Sequence, residues 1–219
     1  LTPSRKNMKN KPIQTEEEKQ LLCRRGLIET VNDQLKNLLE VKNAHKFKTE
    51  AVSIIYSRFD PFNQKIIIDG GQNKDFQAGQ PVINALGLVG QISSVFPETS
   101  EVTLIVDKKM SVPIQIQRNG LRAITNGNGQ NETISLPYLP NSVDIIKGDI
   151  LKTSGIDTIY PEGIIVAEVL EIINDPKLPF AKIICKPMSE IRNHSHVLVV
   201  KPINKIANHA ATPKNDQKK

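Results

Sequence analysis

From Ala51 to Lys201 apolar and polar residues alternate with period two, and no stretch of ten residues in that span carries a helical repeat. A half-buried strand produces that period because successive side chains leave opposite faces of the sheet. The body is therefore expected to be all-β. Strands are predicted at 51–56, 65–69, 81–84, 88–95, 101–106, 112–118, 121–125, 133–138, 150–153, 164–173, 181–186 and 196–201. Many short strands separated by turn residues fit two small six-stranded-type β-barrels, since closing each sheet removes its exposed edges. A chain of 219 residues has room for two such cores.

The clearest hairpin is VPIQIQ-RNG-LRAIT, with Val112, Ile114 and Ile116 on one face and Gln115 and Gln117 on the other. Asn119-Gly120 is expected to form its type I′ turn. Pro113, which has no backbone N–H, is expected to place the first strand at an edge. Residues 79–95 (GQPVINALGLVGQISSV) and 148–172 (GDILKTSGIDTIYPEGIIVAEVLEI) share a Gly-polar start, a short strand, a Gly-containing loop and an apolar strand. This faint repeat suggests that the two barrels are related.

Upstream the period changes. Leu21, Ile28 and Leu35 recur every seven residues with Val31 and Leu38 between them, and Arg24 alone breaks the seam. Thr15 followed by Glu16, Glu17 and Glu18 makes an N-cap with acids where the helix dipole favours them. The five apolar positions predict a coiled coil through which the chain associates with itself. The expected organisation is a flexible basic arm over 1–15, a coiled-coil helix over 16–48, a first barrel over 49–111, a second barrel over 112–202 and a disordered tail over 203–219. Strands within 180–202 are free to return to the first barrel.

The net charge of +6 resides in the ends: residues 1–15 carry +4 and residues 203–219 carry +3, which leaves the body at −1. A near-neutral body with 4% aromatic residues and no Trp lacks both the electrostatic footprint and the stacking platforms of a nucleic-acid binder. No P-loop, HExxH, GxSxG or GxGxxG motif occurs. Ser154 in Thr153-Ser154-Gly155 has the look of a nucleophile, yet the one histidine before it is His45 on the predicted stalk, so a His-Asp-Ser chain order has no base. Ser154 reads instead as a turn residue bonding locally. His194 and His196 share a strand face but no third ligand joins them, and Cys23 and Cys185 belong to no CxxC pattern. The expectation is a protein without catalytic residues, cofactor or metal.

Six strings taken in order, IIIDGG (Ile66–Gly71), AGQPVIN (Ala78–Asn84), GLVGQISSV (Gly87–Val95), TSEVTLIVD (Thr99–Asp107), KGDILKTSG (Lys147–Gly155) and YPEGIIVAEV (Tyr160–Val169), resemble the extracytoplasmic part of the bacterial rod-shape-determining MreC family. The resemblance implies a single-pass inner-membrane protein whose helix and two β-domains project into the periplasm and organise cell-wall elongation without catalysis. It implies as partners the elongation-specific penicillin-binding protein, MreD, the actin-like MreB filament across the membrane, and a second copy of the chain. The chain starts at Leu1, so the anchor is expected to precede it. Two departures stand out: Ile156-Asp157-Thr158-Ile159 intervenes before Tyr160-Pro161-Glu162-Gly163, and Gly127-Asn128-Gly129 extends the region after the second hairpin strand. A periplasmic adaptor of an efflux or secretion pump is the rival reading, but it requires a helical hairpin. A scaffold also needs apolar anchors. Phe96, Tyr138 and Tyr160 each sit beside a proline at a strand end, so at least one is expected to contact the penicillin-binding protein, the alternative being that they plug the barrel ends.

Overall fold

The computed structural model describes residues 47–59, 63–129, 132–157, 159–175, 177–190 and 195–202. The basic arm, the tail and the heptad positions Leu21, Ile28, Val31, Leu35 and Leu38 lie outside the described residues. Twelve strands follow in chain order: β1 (Phe47–Phe59), β2 (Gln64–Asp69), β3 (Pro81–Ile83), β4 (Leu88–Val95), β5 (Thr99–Leu104), β6 (Ser111–Ile116), β7 (Arg122–Gly127), β8 (Ile134–Leu136), β9 (Ile150–Thr153), β10 (Ile165–Ile173), β11 (Lys182–Pro187) and β12 (His196–Pro202). Each predicted strand overlaps one of these. The first begins at Phe47, inside the span expected to be helical.

The strands close two antiparallel barrels, with neighbour order β1-β12-β3-β4-β5-β2 in one and β10-β11-β8-β7-β6-β9 in the other. The C-terminal segments divide between them: β11 stays in the second barrel, and β12 returns to the first, where it pairs with β1 from Phe47↔Pro202 to Ser53↔His196. Placing β12 ahead of β1 gives both barrels one circuit. The series β12-β1-β2-β3-β4-β5 then has the same neighbours, step for step, as β6-β7-β8-β9-β10-β11. The barrels are circular permutants of one topology, and the faint repeat coincides with equivalent hairpins, β3–β4 and β9–β10.

Alternation fills the interiors. Ile66 and Ile68 on β2, Val112, Ile114 and Ile116 on β6, and Leu151 on β9 point inward and are buried. The period breaks in the first barrel where a second layer covers the outer face: Pro81, Val82 and Ile83 are all buried, as are Leu88, Val89 and Gly90. One continuous apolar cluster runs through both barrels.

Two local expectations are corrected. Strand β6 is not an edge, because it pairs with β7 on one side and β9 on the other. Pro113 is tolerated because its missing N–H falls just past the last β6–β9 pair, Ile114↔Thr153, where its carbonyl still accepts from Ser154 N at 3.1 Å. The β6–β7 turn is also not type I′. Gly120 alone takes a positive φ, of 71°, and the loop has four residues, closed by Ile116 N to Leu121 O and Gly120 N to Ile116 O, both 2.8 Å. Asn119 supplies its side chain instead, accepting from Leu121 N and donating to the Asp144 carbonyl.

Candidate functional site

The duplicated hairpins carry identical fasteners. Gln77–Gln80 and Ile146–Asp149 are turns whose third residue is glycine, Gly79 at φ 94° and Gly148 at φ 90°, a conformation that side-chain-bearing residues rarely adopt. In the first, Gly79 N donates to Ile92 O at 2.8 Å and Ile92 N to Gln80 O at 2.9 Å. In the second, Gly148 N donates to Val169 O at 2.8 Å and Val169 N to Asp149 O at 2.9 Å. The side chain of the fourth residue closes each turn on itself: Gln80 Oε1 accepts from Gln77 N, and Asp149 Oδ2 from Ile146 N.

The chemistry of that fourth position differs. Asp149 is buried, and Arg118 in the β6–β7 loop grips it through Nε and Nη2 at 2.9 and 3.1 Å while also holding Asp144. The guanidinium keeps the carboxyls of Asp149 and Asp144 below the usual carboxylate range, and the two acids raise the pKa of Arg118. Gln80 needs no counter-charge.

The two hairpins also meet each other. Tyr160, in the loop between β9 and β10, donates its hydroxyl at 3.1 Å to Oε1 of Gln91 on β4, and Gln91 Nε2 donates to the Gly79 carbonyl at 2.8 Å. Ser189 Oγ donates at 2.6 Å to the Leu88 carbonyl. At Gly87 a Cβ would stand 2.5 Å from the Ile165 carbonyl oxygen, so the barrels approach as closely as glycine permits. Tyr160 is 3% exposed, and burial pushes its phenol pKa well up. It is a plug at the barrel junction and offers no surface to a partner. The intervening Asp157 caps this loop, accepting from Ile159 N and Tyr160 N, and leaves Ile156 and Ile159 outside.

The other two expected anchors are on the surface. Phe96 follows β4 and is 48% exposed; Tyr138 is 76% exposed at φ 61°. Tyr138 stands edge-on to Phe180, ring centroids 5.8 Å apart, and Phe180 is itself half exposed beside exposed Leu178. The bridge Pro140↔Phe180 and the Asn141 Nδ2 bond to the Leu178 carbonyl hold the pair. Phe180 was legible by the same sign as the others, because it follows Pro179.

Ser154 lies buried, and among the described residues its Oγ has no hydrogen-bond partner, contrary to the expected local bond. Its neighbour Thr153 does that work, donating Oγ1 to the Pro161 carbonyl and accepting from Ile164 N. His196 opens β12 opposite Ser53, in the other barrel. Cys185 is buried on β11, and desolvation pushes its thiol up to about 12. A nucleophile needs a base within hydrogen-bond reach, and neither Ser154 nor Cys185 is given one among the described residues.

Residues 54–201 match the sequence model of the rod shape-determining protein MreC, barrel core. The chain belongs to the MreC family. The MreC of Haemophilus influenzae is 38% identical over 151 residues, which are 69% of this chain and 43% of that protein. The chain thus spans well under half of the length of this curated relative. The crystal structure of MreC from Pseudomonas aeruginosa, 40% identical, superposes with a TM-score of 0.66 over 69% of this chain and 98% of that one. The MreC of Helicobacter pylori, solved in a complex with the penicillin-binding protein PBP2, shares the fold at 17% identity and a TM-score of 0.58, over 73% of this chain and all of its own. Residues 1–48 match a different model, a transposase DDE domain. All five heptad positions fall inside that stretch, and the MreC match begins beyond it.

Proposed function

We propose that this chain is a non-catalytic periplasmic scaffold of the cell-wall elongation machinery, which maintains rod shape by holding a penicillin-binding protein. The observation that carries the reading is the aromatic pair Tyr138–Phe180. Two large rings held on a closed barrel, with Tyr138 exposed far beyond what a core residue shows, form an anchor for a protein partner and not a substrate pocket. The penicillin-binding protein is chosen because a member of the family with this fold has been solved in complex with one. Self-association, MreD, and MreB across the membrane complete the assembly proposed for the chain. The pump-adaptor reading requires a return helix, whereas the helical element among the described residues is the three-residue turn Gln72–Lys74.

Binding of the soluble part of the elongation-specific penicillin-binding protein tests the reading. Tyr138→Ala, Phe180→Ala and Phe96→Ala are compared with the parent chain, each with a melting curve. Weaker binding at Tyr138 or Phe180 with unchanged melting supports the anchor, and normal binding by all three variants rejects it. The heptad seam has its own test, sedimentation of Leu35→Lys. Burying a leucine at a seam is worth ~1.5–3 kcal/mol per chain, so unchanged self-association would leave the heptads without that role.

A further inference from the structure

The duplicated hairpins present the same stretch of strand edge twice. Strand β10 pairs with β9 from Ile165↔Lys152 to Glu168↔Ile150, and its last bonds on that side are those of Val169 to the turn at Gly148 and Asp149. Among the described residues it then runs on to Ile173 with β11 along its other side alone. In the first barrel β4 does likewise: after Ile92 is fastened to Gly79 and Gln80, Ser94 and Val95 pair with β5 alone. Both strands shift register at the same point, between Ile92 and Ser94 in one and between Val169 and Glu171 in the other.

What the two edges carry is opposite in character. On β4 the segment reads Ser93-Ser94-Val95, and Ser93 Oγ is bonded back to the Glu101 carboxylate at 2.9 Å. On β10 it reads Leu170-Glu171-Ile172-Ile173, with Leu170 and Ile173 45% and 41% exposed. Beside it lies an open groove of about 450 Å³ lined by Lys147, Leu170, Glu171 and Ile172, and Ile146 of the adjoining turn is exposed as well. Natural sheets blunt an exposed edge with polar or charged residues because its main chain is a template for another strand. The first barrel follows that practice and the second departs from it at the equivalent place.

We propose that the edge of β10 from Leu170 to Ile173, with its groove, is a strand-addition site that takes a short extended segment of a partner protein, apolar at alternate positions. Over this stretch, about 13 Å of strand, the residues whose main-chain N–H and C=O point away from β11 supply the donors and acceptors. The groove takes the side chains that face it. Lys147 and Glu171 line it with opposite charges, so the groove carries no net charge to draw in a charged segment, and Leu170 and Ile172 favour an apolar one. The scaffold reading contributes one thing to this inference, that the partner is a protein; the edge residues Leu170 to Ile173 are not those of the Tyr138–Phe180 anchor, which lies at the loop from β10 to β11.

Hydrogen exchange of the full chain, read at the amides of 170–173, tests it with a short synthetic peptide of alternating valine and threonine as the probe. Added peptide should protect those of these amides that point away from β11 and leave 93–95 unchanged. Leu170→Lys should weaken the protection by about tenfold or more, since it forfeits an apolar contact. The same peptide N-methylated at every residue should give none, because it has no main-chain N–H left to donate. No protection, or equal protection by the N-methylated peptide, overturns strand addition. Protection that grows with protein concentration before any peptide is added would assign the edge to a second copy and overturn the partner segment. The penicillin-binding protein takes no part here, so failure of this site and failure of the anchor reading are told apart.

Discussion

The first and second barrels share one circuit of strands, one pair of glycine turns and one register shift, yet they are closed in different ways. The second is built from consecutive chain, β6 through β11. The first borrows its sixth strand from the far end, so that β12 sits where β6 sits in its twin. They differ again at the fastening turn, which ends in neutral Gln80 in one and in Asp149 clamped by Arg118 in the other. A common topology therefore does not imply common energetics: one barrel depends on a distant strand and the other on an ion pair between buried Asp149 and half-exposed Arg118.

The largest expected effect breaks the first barrel alone. A chain ending at Ser195 loses buried Val197, Leu198, Val199 and Val200, each worth ~1.5–3 kcal/mol, against a total stability of only ~5–15 kcal/mol for a typical domain. Hydrogen exchange should show β1–β5 unprotected while β6–β11 keep their protection. Loss of protection in both would show that the barrels unfold as one unit.

Next is the junction. Gly87→Val puts a side chain against the Ile165 carbonyl oxygen, and overpacking of this kind costs ~1–3 kcal/mol. Spin labels on the two barrels should report a longer or broader separation while each barrel stays folded; an unchanged distance would mean that the contact does not set their spacing.

Acid should then separate the barrels electrostatically. Arg118 holds the Asp149 pKa below its unfolded value of about 3.9, so this pair stabilises the second barrel above that pH and its contribution is lost as pH falls through the folded value. Asp149→Asn should remove this part of the acid sensitivity from β6–β11 and leave that of β1–β5 as it was, measured by exchange at stepped pH. Tyr160→Phe is the smallest change: it keeps the ring and deletes the bond to Gln91, for a loss of ~0.5–1.5 kcal/mol in the melting curve.

Much of the fold was legible. Period-two alternation located every strand, because side-chain direction within a strand is a local property. The GQ and GD starts of the faint repeat mark the two turns whose geometry demands glycine. Alternation said less where the first barrel is covered on its outside, since Val82 and Ile83 or Leu88 and Val89 are successive buried residues. Of the three aromatics chosen beside prolines, Phe96 and Tyr138 are exposed and Tyr160 is a plug. A neighbouring proline marks a strand end, but whether a ring there meets water depends on what packs over it.

The sequence by itself determined the all-β class, the strand positions, the duplicated turns and the membership in the MreC family, since all of these are written in short stretches of chain. The tertiary structure alone decided that β12 completes the first barrel, that Pro113 sits in a strand paired on both sides, and that Tyr160 and Gln91 join the barrels. The physical reason is range. Pairing partners, closure and burial arise between residues such as Ser53 and His196 or Gln91 and Tyr160, and no local period records which distant strand will lie alongside or which face another barrel will cover.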